Sequence, residues 1–292
     1  GFTPLDYAAK HQHKALYDEL KKRGATHGAL GTSSDQVLNR DVKDKKEAIL
    51  VKLRNKTWGI RTQSSFITFR YDEHGMLPEE PSLANGCMTP VELQNVDVYH
   101  FDSQLRRHNP LYEREQEYEN IQFVANPHYR VTYEQGRPFE VSQMAFPEDL
   151  QPSVIGNLTV TTLPGFKPYR KSYLIQADGL NILWLYQHSD RYLPWKRNTE
   201  AIDYLKEKEL AIDMMLIGNP SSDMGPEWIS IMEEAYEMSK ELDIRAVFPM
   251  PDSKMGELFK TERMRKGDGE EVYFAKNPGD VFHYKNGRVQ KK

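Results

Sequence analysis

The chain has 292 residues and a mass of 34.0 kDa, of which 38% are hydrophobic and 28% charged, enough for one large core with a small appendage. A formal charge of -4 and a pI near 6.2 give no broad attraction to phosphate backbones, and the runs Lys21-Lys22-Arg23 and Arg106-Arg107 are too short to make a nucleic-acid face. No apolar run approaches the roughly 20 residues that span a bilayer, and the lone Cys87 excludes an internal disulfide framework and a cysteine-rich zinc ribbon. Residue 1 is not Met, so the natural amino terminus is expected upstream. One cysteine suits a cytoplasmic protein, and equally a periplasmic or secreted one whose signal peptide has been removed. The sequons Asn55-Lys56-Thr57 and Asn157-Leu158-Thr159 say little in a chain of this length.

Residues 1–26 predict two short helices. Thr3 caps the first, Pro4 takes the position where a missing N–H is harmless, and Leu5, Ala8 and Ala9 form one apolar face. Ala15, Leu16 and Leu20 form the other. The pattern Thr3-Pro4-Leu5 followed by Ala8 resembles an ankyrin repeat, with Asp6 where that family usually has His. The resemblance implies a terminal repeat that closes a longer array or packs on the following domain, and a protein partner for such an array. From residue 27 to 48 the Gly, Ser, Thr, Asp and Lys content predicts a linker.

The large domain, 49–292, reads as two β-rich halves, about 49–150 and 151–292. Strands are expected at Ile49 to Leu53, Thr57 to Ile60, Ser65 to Tyr71, Val96 to Phe101, Ile121 to Val124 and Tyr129 to Tyr133, with a helix at Leu111 to Tyr118. After the Pro-rich joint Phe146 to Pro152, strands at Asn157 to Leu163 and Lys171 to Gln176 lead to a tight hairpin at Asp178-Gly179 and a strand from Asn181 to Tyr186. A helix from Asn198 or Thr199 to Leu210, a strand from Ile212 to Ile217, a helix from Pro226 to Leu242 and a strand from Ile244 to Met250 follow. Trp228, Ile231, Met232, Ala235, Met238 and Leu242 share one face of the second helix and read as core. The tail predicts two strands around Asn277-Pro278-Gly279. Two β-rich halves with helices predict two packed sheets with helices outside.

Three segments, Val96 to Pro110, Leu183 to Trp195 and Ala246 to Gly256, together resemble the metal-binding loops of the metallo-beta-lactamase fold, closest to its lactonase and phospholipase D-like branch. The resemblance implies a four-layer αββα sandwich over residues 49–292. In that family a strand ends in Thr-His-x-His-x-Asp-His, since two zinc ions need imidazoles and carboxylates at close range to activate a bridging water. Here Asp102, Ser103, Gln104, Leu105, Arg106, Arg107 and His108 fall on the motif, so only His108 coincides with a ligand and Arg107 takes the Asp position. Asp190 in Ser189-Asp190-Arg191 fits the bridging carboxylate, and Pro251 stands where the last His would be.

This pattern predicts a non-catalytic, metal-free domain that binds or scaffolds, with no cofactor. The alternative is a divergent hydrolase of a phosphate- or carboxylate-bearing substrate, with His108 and Asp190 as catalytic candidates. It would use a metal-free site or a rebuilt single-zinc site from His108, His188, Asp190 and Asp252. Arg106 and Arg107, with Asp102 and Arg191, would make either an anion pocket for a small ligand or an internal salt bridge. His128 is a further candidate near the cleft, while His100, beside Tyr99 on a buried strand, reads as core. No nucleophile elbow or Gly-rich phosphate loop is present.

Overall fold

The computed structural model describes residues 14–23, 42–54, 57–71, 81–102, 110–129, 144–164, 171–186, 199–218, 227–250, 259–261, 263–264 and 271–292. Helix α1 (Lys14–Lys22) is the second helix expected in the opening segment, closed by an ion pair from Arg23 to Glu19 one turn back. Leu16, on its apolar face, is 45% exposed. The Thr-Pro-Leu motif and most of the expected linker lie outside the described residues. No helix among the described residues is long and apolar enough to cross a membrane.

Among the described residues fourteen strands form two sheets. The first contains β1 (Glu47–Lys52), β2 (Trp58–Arg61), β3 (Ser65–Phe69), β4 (Asp97–Asp102), β5 (Ile121–Ala125), β6 (Met144–Ala145), β13 (Val281–Lys285) and β14 (Arg288–Lys291), in the order 14-13-1-2-3-4-5-6. The second contains β7 (Ser153–Ile155), β8 (Leu158–Leu163), β9 (Ser172–Ala177), β10 (Leu180–Tyr186), β11 (Met214–Gly218) and β12 (Val247–Pro249), in the order 12-11-10-9-8-7. Strands β3 to β6 run parallel to one another, as do β10 to β12.

Period-two alternation decides what each sheet buries. Ala48, Leu50, Trp58, Ile60, Ile67, Phe69, Tyr99 and Phe101 face the second sheet, where Tyr173, Ile175, Ile182, Trp184, Leu216 and Phe248 meet them. The odd-numbered residues of β1 and the even-numbered ones of β4 face outward, into a cluster with Leu83, Leu93, Leu111 and Tyr112. Outside the second sheet, helices α2 (Thr199–Glu207) and α3 (Glu227–Glu241) supply Ala201, Leu205, Met232, Ala235, Tyr236 and Met238.

The structure revises several expectations. The segment Leu111 to Tyr118 is a single turn, Pro110–Glu113, followed by a 3-10 turn, Glu115–Glu117, since its Glu-rich middle offers no apolar stripe to hold a longer helix against the sheet. Among the described residues this part of the outer layer on the first sheet is therefore made of short turns. Pro127–Tyr129 is a 3-10 turn, and the strand expected at Tyr129 to Tyr133 lies, beyond Tyr129, outside the described residues. Both tail strands follow Asn277-Pro278-Gly279, and the reversal between them is Asn286-Gly287, both residues with positive φ. This last hairpin joins β1, so the end of the chain completes the sheet that its first strands began. The expected Asp178-Gly179 hairpin is present, with φ of 47° and 80°.

One end of the sandwich is tied by polar groups. The Tyr99 hydroxyl donates to Asn157 Oδ1 at 2.7 Å and accepts from the Asn157 N–H at 3.0 Å. Ser65 Oγ donates to the same Oδ1 at 2.9 Å, and Asn157 Nδ2 reaches Asp97 Oδ2 at 3.1 Å and Ser64 Oγ at 2.9 Å. Asp178, in the β9–β10 turn, accepts from the Ser64 N–H at 2.8 Å and from Thr62 Oγ1 at 2.7 Å. Farther along, the Tyr284 hydroxyl of β13 donates to Asp213 beside β11 at 2.9 Å. Gly156 fits here because it has φ +58° and because a Cβ would lie 2.1 Å from the Tyr99 hydroxyl.

Burial pushes the Tyr99 phenol up to about 12, with the nearby Asp97 carboxylate adding to the rise and the Asn157 N–H opposing it. Burial and the Asp213 carboxylate raise Tyr284 as well. A phenol whose folded pKa lies above its unfolded value near 10 contributes stability fully below that value and loses it as pH rises through the folded one. Stability should therefore fall between about pH 10 and 12, and Tyr99→Phe should flatten that fall in urea titrations read at each pH. Asn157→Ala should cost about 1–3 kcal/mol by leaving the buried Tyr99 hydroxyl without its cross-sheet partner. Gly156→Ala should destabilise through the same contact, and a melting temperature unchanged in both variants would refute the tie.

Candidate functional site

The opposite end is where the parallel strands finish. Phe69 of β3 packs against Trp184 of β10 at 4.8 Å between ring centroids, and Phe101 of β4 against Tyr173 of β9 at 5.4 Å. The Trp58 indole donates to the Pro249 carbonyl of β12 at 3.0 Å. These contacts bring the carboxyl-terminal ends of β3, β4, β10 and β12 to one rim. In open α/β architectures loops at such strand ends carry the ligand chemistry.

The floor beneath the rim is aromatic. Trp184 stacks on Tyr173, centroids 5.6 Å apart and 9° from parallel, while Phe248 meets Trp58 edge-on at 5.5 Å. Trp58, Phe69, Phe101, Tyr173, Trp184 and Phe248 are all fully buried. Gly218, which ends β11, is required by this floor, since a Cβ there would lie 2.6 Å from Trp184 Nε1.

Two buried lysines stand at the rim. Lys52 ends β1 on the face of Ala48 and Leu50 and is 7% exposed. Its ammonium lies 3.4 Å from the Met250 carbonyl and 5.4 Å from the centre of the Trp58 ring. Lys171, just before β9, pairs with the Asp149 carboxylate, and that pair fixes the start of β9 to the Pro-rich joint. The sequence reading passed over both. The signal for Lys52 is a cation that continues an apolar alternation, Ala48, Leu50, Lys52, onto the buried face.

The residues singled out from sequence fall in two groups. His100 is fully buried on the outer face of β4, its ring edge-on to Phe123 at 5.8 Å and to Tyr112 at 6.3 Å. Asp102 shares that outer face and accepts from the Tyr112 hydroxyl at 3.3 Å. His128 is exposed, and its N–H donates to Asn126 Oδ1 at 2.9 Å. Arg106, Arg107, His108, His188, Asp190, Arg191 and Asp252 lie outside the described residues. The chain enters their segments from β4, β10 and β12, whose ends share the rim. Among the described residues no group of three or more His, Cys, Asp or Glu side chains is placed to hold a metal ion.

No family model matches this chain, and no curated protein matches it. Solved structures do. Igni18, a metallo hydrolase from the archaeon Ignicoccus hospitalis, superposes with a TM-score of 0.53 at 13% identity, covering 82% of this chain and 99% of that one. YhfI from Bacillus subtilis, a metallo-beta-lactamase fold protein, gives 0.50 at 13% identity over 81% of this chain and 99% of its own. CmlA, a diiron beta-hydroxylase from Streptomyces venezuelae, gives 0.50 at 11% identity over 99% of this chain and 62% of its own. Identities this low establish architecture alone. The two-sheet sandwich of this chain is a metallo-beta-lactamase-like fold.

Proposed function

We propose that this chain keeps the metallo-beta-lactamase architecture without its dinuclear metal centre, and acts as a binding or scaffold domain whose rim takes a small anionic ligand. The observation that carries this reading is where β4 stops. Asp102 is its last residue, so the loop that would hold the metals begins at Ser103. In sequence the run Ser103-Gln104-Leu105-Arg106-Arg107-His108 contains one imidazole and two guanidinium groups. Strand β12 stops at Pro249, and Pro251 two residues later has no donor side chain.

Each ion of a dinuclear site needs about three protein donors, and His108 with Asp190 falls well short. The residues present therefore do not fit a dinuclear metal centre. Guanidinium forks fit phosphate or carboxylate oxygens. An array of ankyrin repeats ahead of residue 1 would add a protein partner to the same scaffold.

A second reading has one observation in its favour. The segments bearing His108, His188, Asp190 and Asp252 all leave strands that end at the same rim. It makes the domain a hydrolase of phosphate- or carboxylate-bearing substrates, with His108 and Asp190 at a single metal.

Elemental analysis of protein purified without chelator separates the two. The expected result is zinc, manganese and iron well below one equivalent, with a melting temperature that EDTA leaves unchanged. A stoichiometric ion that is lost in His108→Ala, together with turnover of a phosphodiester or lactone, would replace the first reading with the second.

A further inference from the structure

An asparagine followed by glycine is chemically exposed, because the glycine has no Cβ to hold its backbone nitrogen away from the side-chain amide before it. The chain has two such pairs, Asn85-Gly86 and Asn286-Gly287. The fold treats them differently.

At the first pair the reacting atoms are engaged. Asn85 Oδ1 accepts from the Ser82 N–H at 3.0 Å, and the Gly86 N–H donates to the Leu83 carbonyl at 3.0 Å, closing the 3-10 turn Leu83–Asn85. The backbone there is also packed, with Pro278, the Arg54 nitrogen and the Lys52 carbonyl within 3.0 Å of the place a Gly86 Cβ would take. At the second pair little is held. Asn286 and Gly287 form the exposed reversal between β13 and β14, with φ of 48° and 79°. A Cβ on Gly287 would meet nothing within 4 Å, and the Asn286 side-chain amide has no partner among the described residues. The Gly287 N–H faces the Tyr284 hydroxyl, whose own proton goes to Asp213 at 2.9 Å. The attacking nitrogen therefore has a proton acceptor beside it.

We propose that Asn286 is a site of spontaneous deamidation, and that the isoaspartate formed there unfastens the last hairpin from β1. The Gly287 nitrogen attacks Asn286 Cγ, forming the new C–N bond of a succinimide. The Cγ–Nδ2 bond breaks, and the proton lost by Gly287 is balanced by the one that the departing nitrogen takes up as ammonia. Water then opens the ring. Opening at Cγ gives aspartate, whereas opening at the backbone carbonyl leaves the chain running through Cγ as isoaspartate.

Isoaspartate adds one backbone carbon and one carboxylate to a two-residue turn. That turn sets Lys285 opposite Arg288, and its Asn286 N–H donates to the Lys46 carbonyl at 3.3 Å. A lengthened turn cannot keep both. The new carboxylate also enters a corner where Asp44 and Glu47 already share Lys285. Because β13 pairs with β1 from Glu47–Lys285 to Val51–Val281, the loss spreads to the strand that closes the first sheet. None of this draws on what the rim binds.

The full chain aged in mildly alkaline buffer tests the proposal. Peptide mass spectrometry reads the exchange of NH2 for OH, and labelling by an isoaspartyl methyltransferase reads the rearranged product. The Asn286 peptide should acquire both roughly tenfold or more faster than the Asn85 peptide, whose two hydrogen bonds must break first. In urea the two pairs should age alike. Amide hydrogen exchange on the aged chain should quicken across Val281–Lys285 and Arg288–Lys291 and stay unchanged in β8 and β9. Asn286→Gln should show neither the label nor the quickened exchange, and if that variant does not fold, the comparison of the two wild-type peptides decides alone. An Asn286 that outlasts ageing as well as Asn85 does, a difference between the pairs that persists in urea, or isoaspartate at 286 with unchanged exchange in β13 and β14 would overturn the proposal.

Discussion

Two sheets share one interior only if their facing side chains stay in register, and the exchange of hydrogen bonds between Tyr99 and Asn157 is what fixes that register at one end. A slip of β4 by one residue would turn His100 and Asp102 inward and send Tyr99 and Phe101 out. Tyr99 cannot follow such a slip without losing both bonds to Asn157, and Ser65 would lose the same acceptor. The polar cluster therefore specifies as well as stabilises. Its partners come from the start of β3, the start of β4, the β7–β8 turn and the β9–β10 turn, so that both halves of the chain must be folded before it closes.

Closing one end with polar bonds leaves the other to be closed by packing. There the rings of Phe69, Phe101, Tyr173 and Trp184 form a layer rigid enough to support a rim. Trp58 and Lys52 then tie the end of β12 to the first sheet without a strand between them. The division of labour is physical. Hydrogen bonds set register where the turns are short, and aromatic contact sets spacing where the chain departs into longer segments.

Much of this was legible in the sequence, for reasons that differ from element to element. Asp178-Gly179 specifies its hairpin locally, because both residues accept positive φ, and the flanking alternation follows. The helix carrying Met232, Ala235 and Met238 is legible because its buried face repeats every three to four residues. Asn286-Gly287 has the same turn chemistry as Asp178-Gly179, yet Asn277-Pro278-Gly279 masks it by offering a second turn nearby. That hairpin's place beside β1 is set by pairing partners more than two hundred residues apart, which no local pattern records. Asn157 shows the same limit. In sequence it is part of a sequon, and only the fold gives its amide Tyr99, Ser64, Ser65 and Asp97 as partners.

The site was legible at its strand ends and not beyond them. His100 reads as core from alternation alone, and the structure buries it against Phe123. Lys52 did not read as special, because a lysine closing a strand is ordinary until the opposite sheet is placed over it. The larger consequence concerns what the sandwich needs in order to stand. In a zinc finger the metal replaces a core and its loss unfolds the chain. Here the interior is filled by Trp58, Phe101, Tyr173, Trp184 and Phe248, tied by Asn157 at the far end, and none of these side chains belongs to the segments where the fold's metal ligands would sit. An architecture whose interior is filled by residues outside those segments sets the place of its rim without drawing on the chemistry that the rim carries.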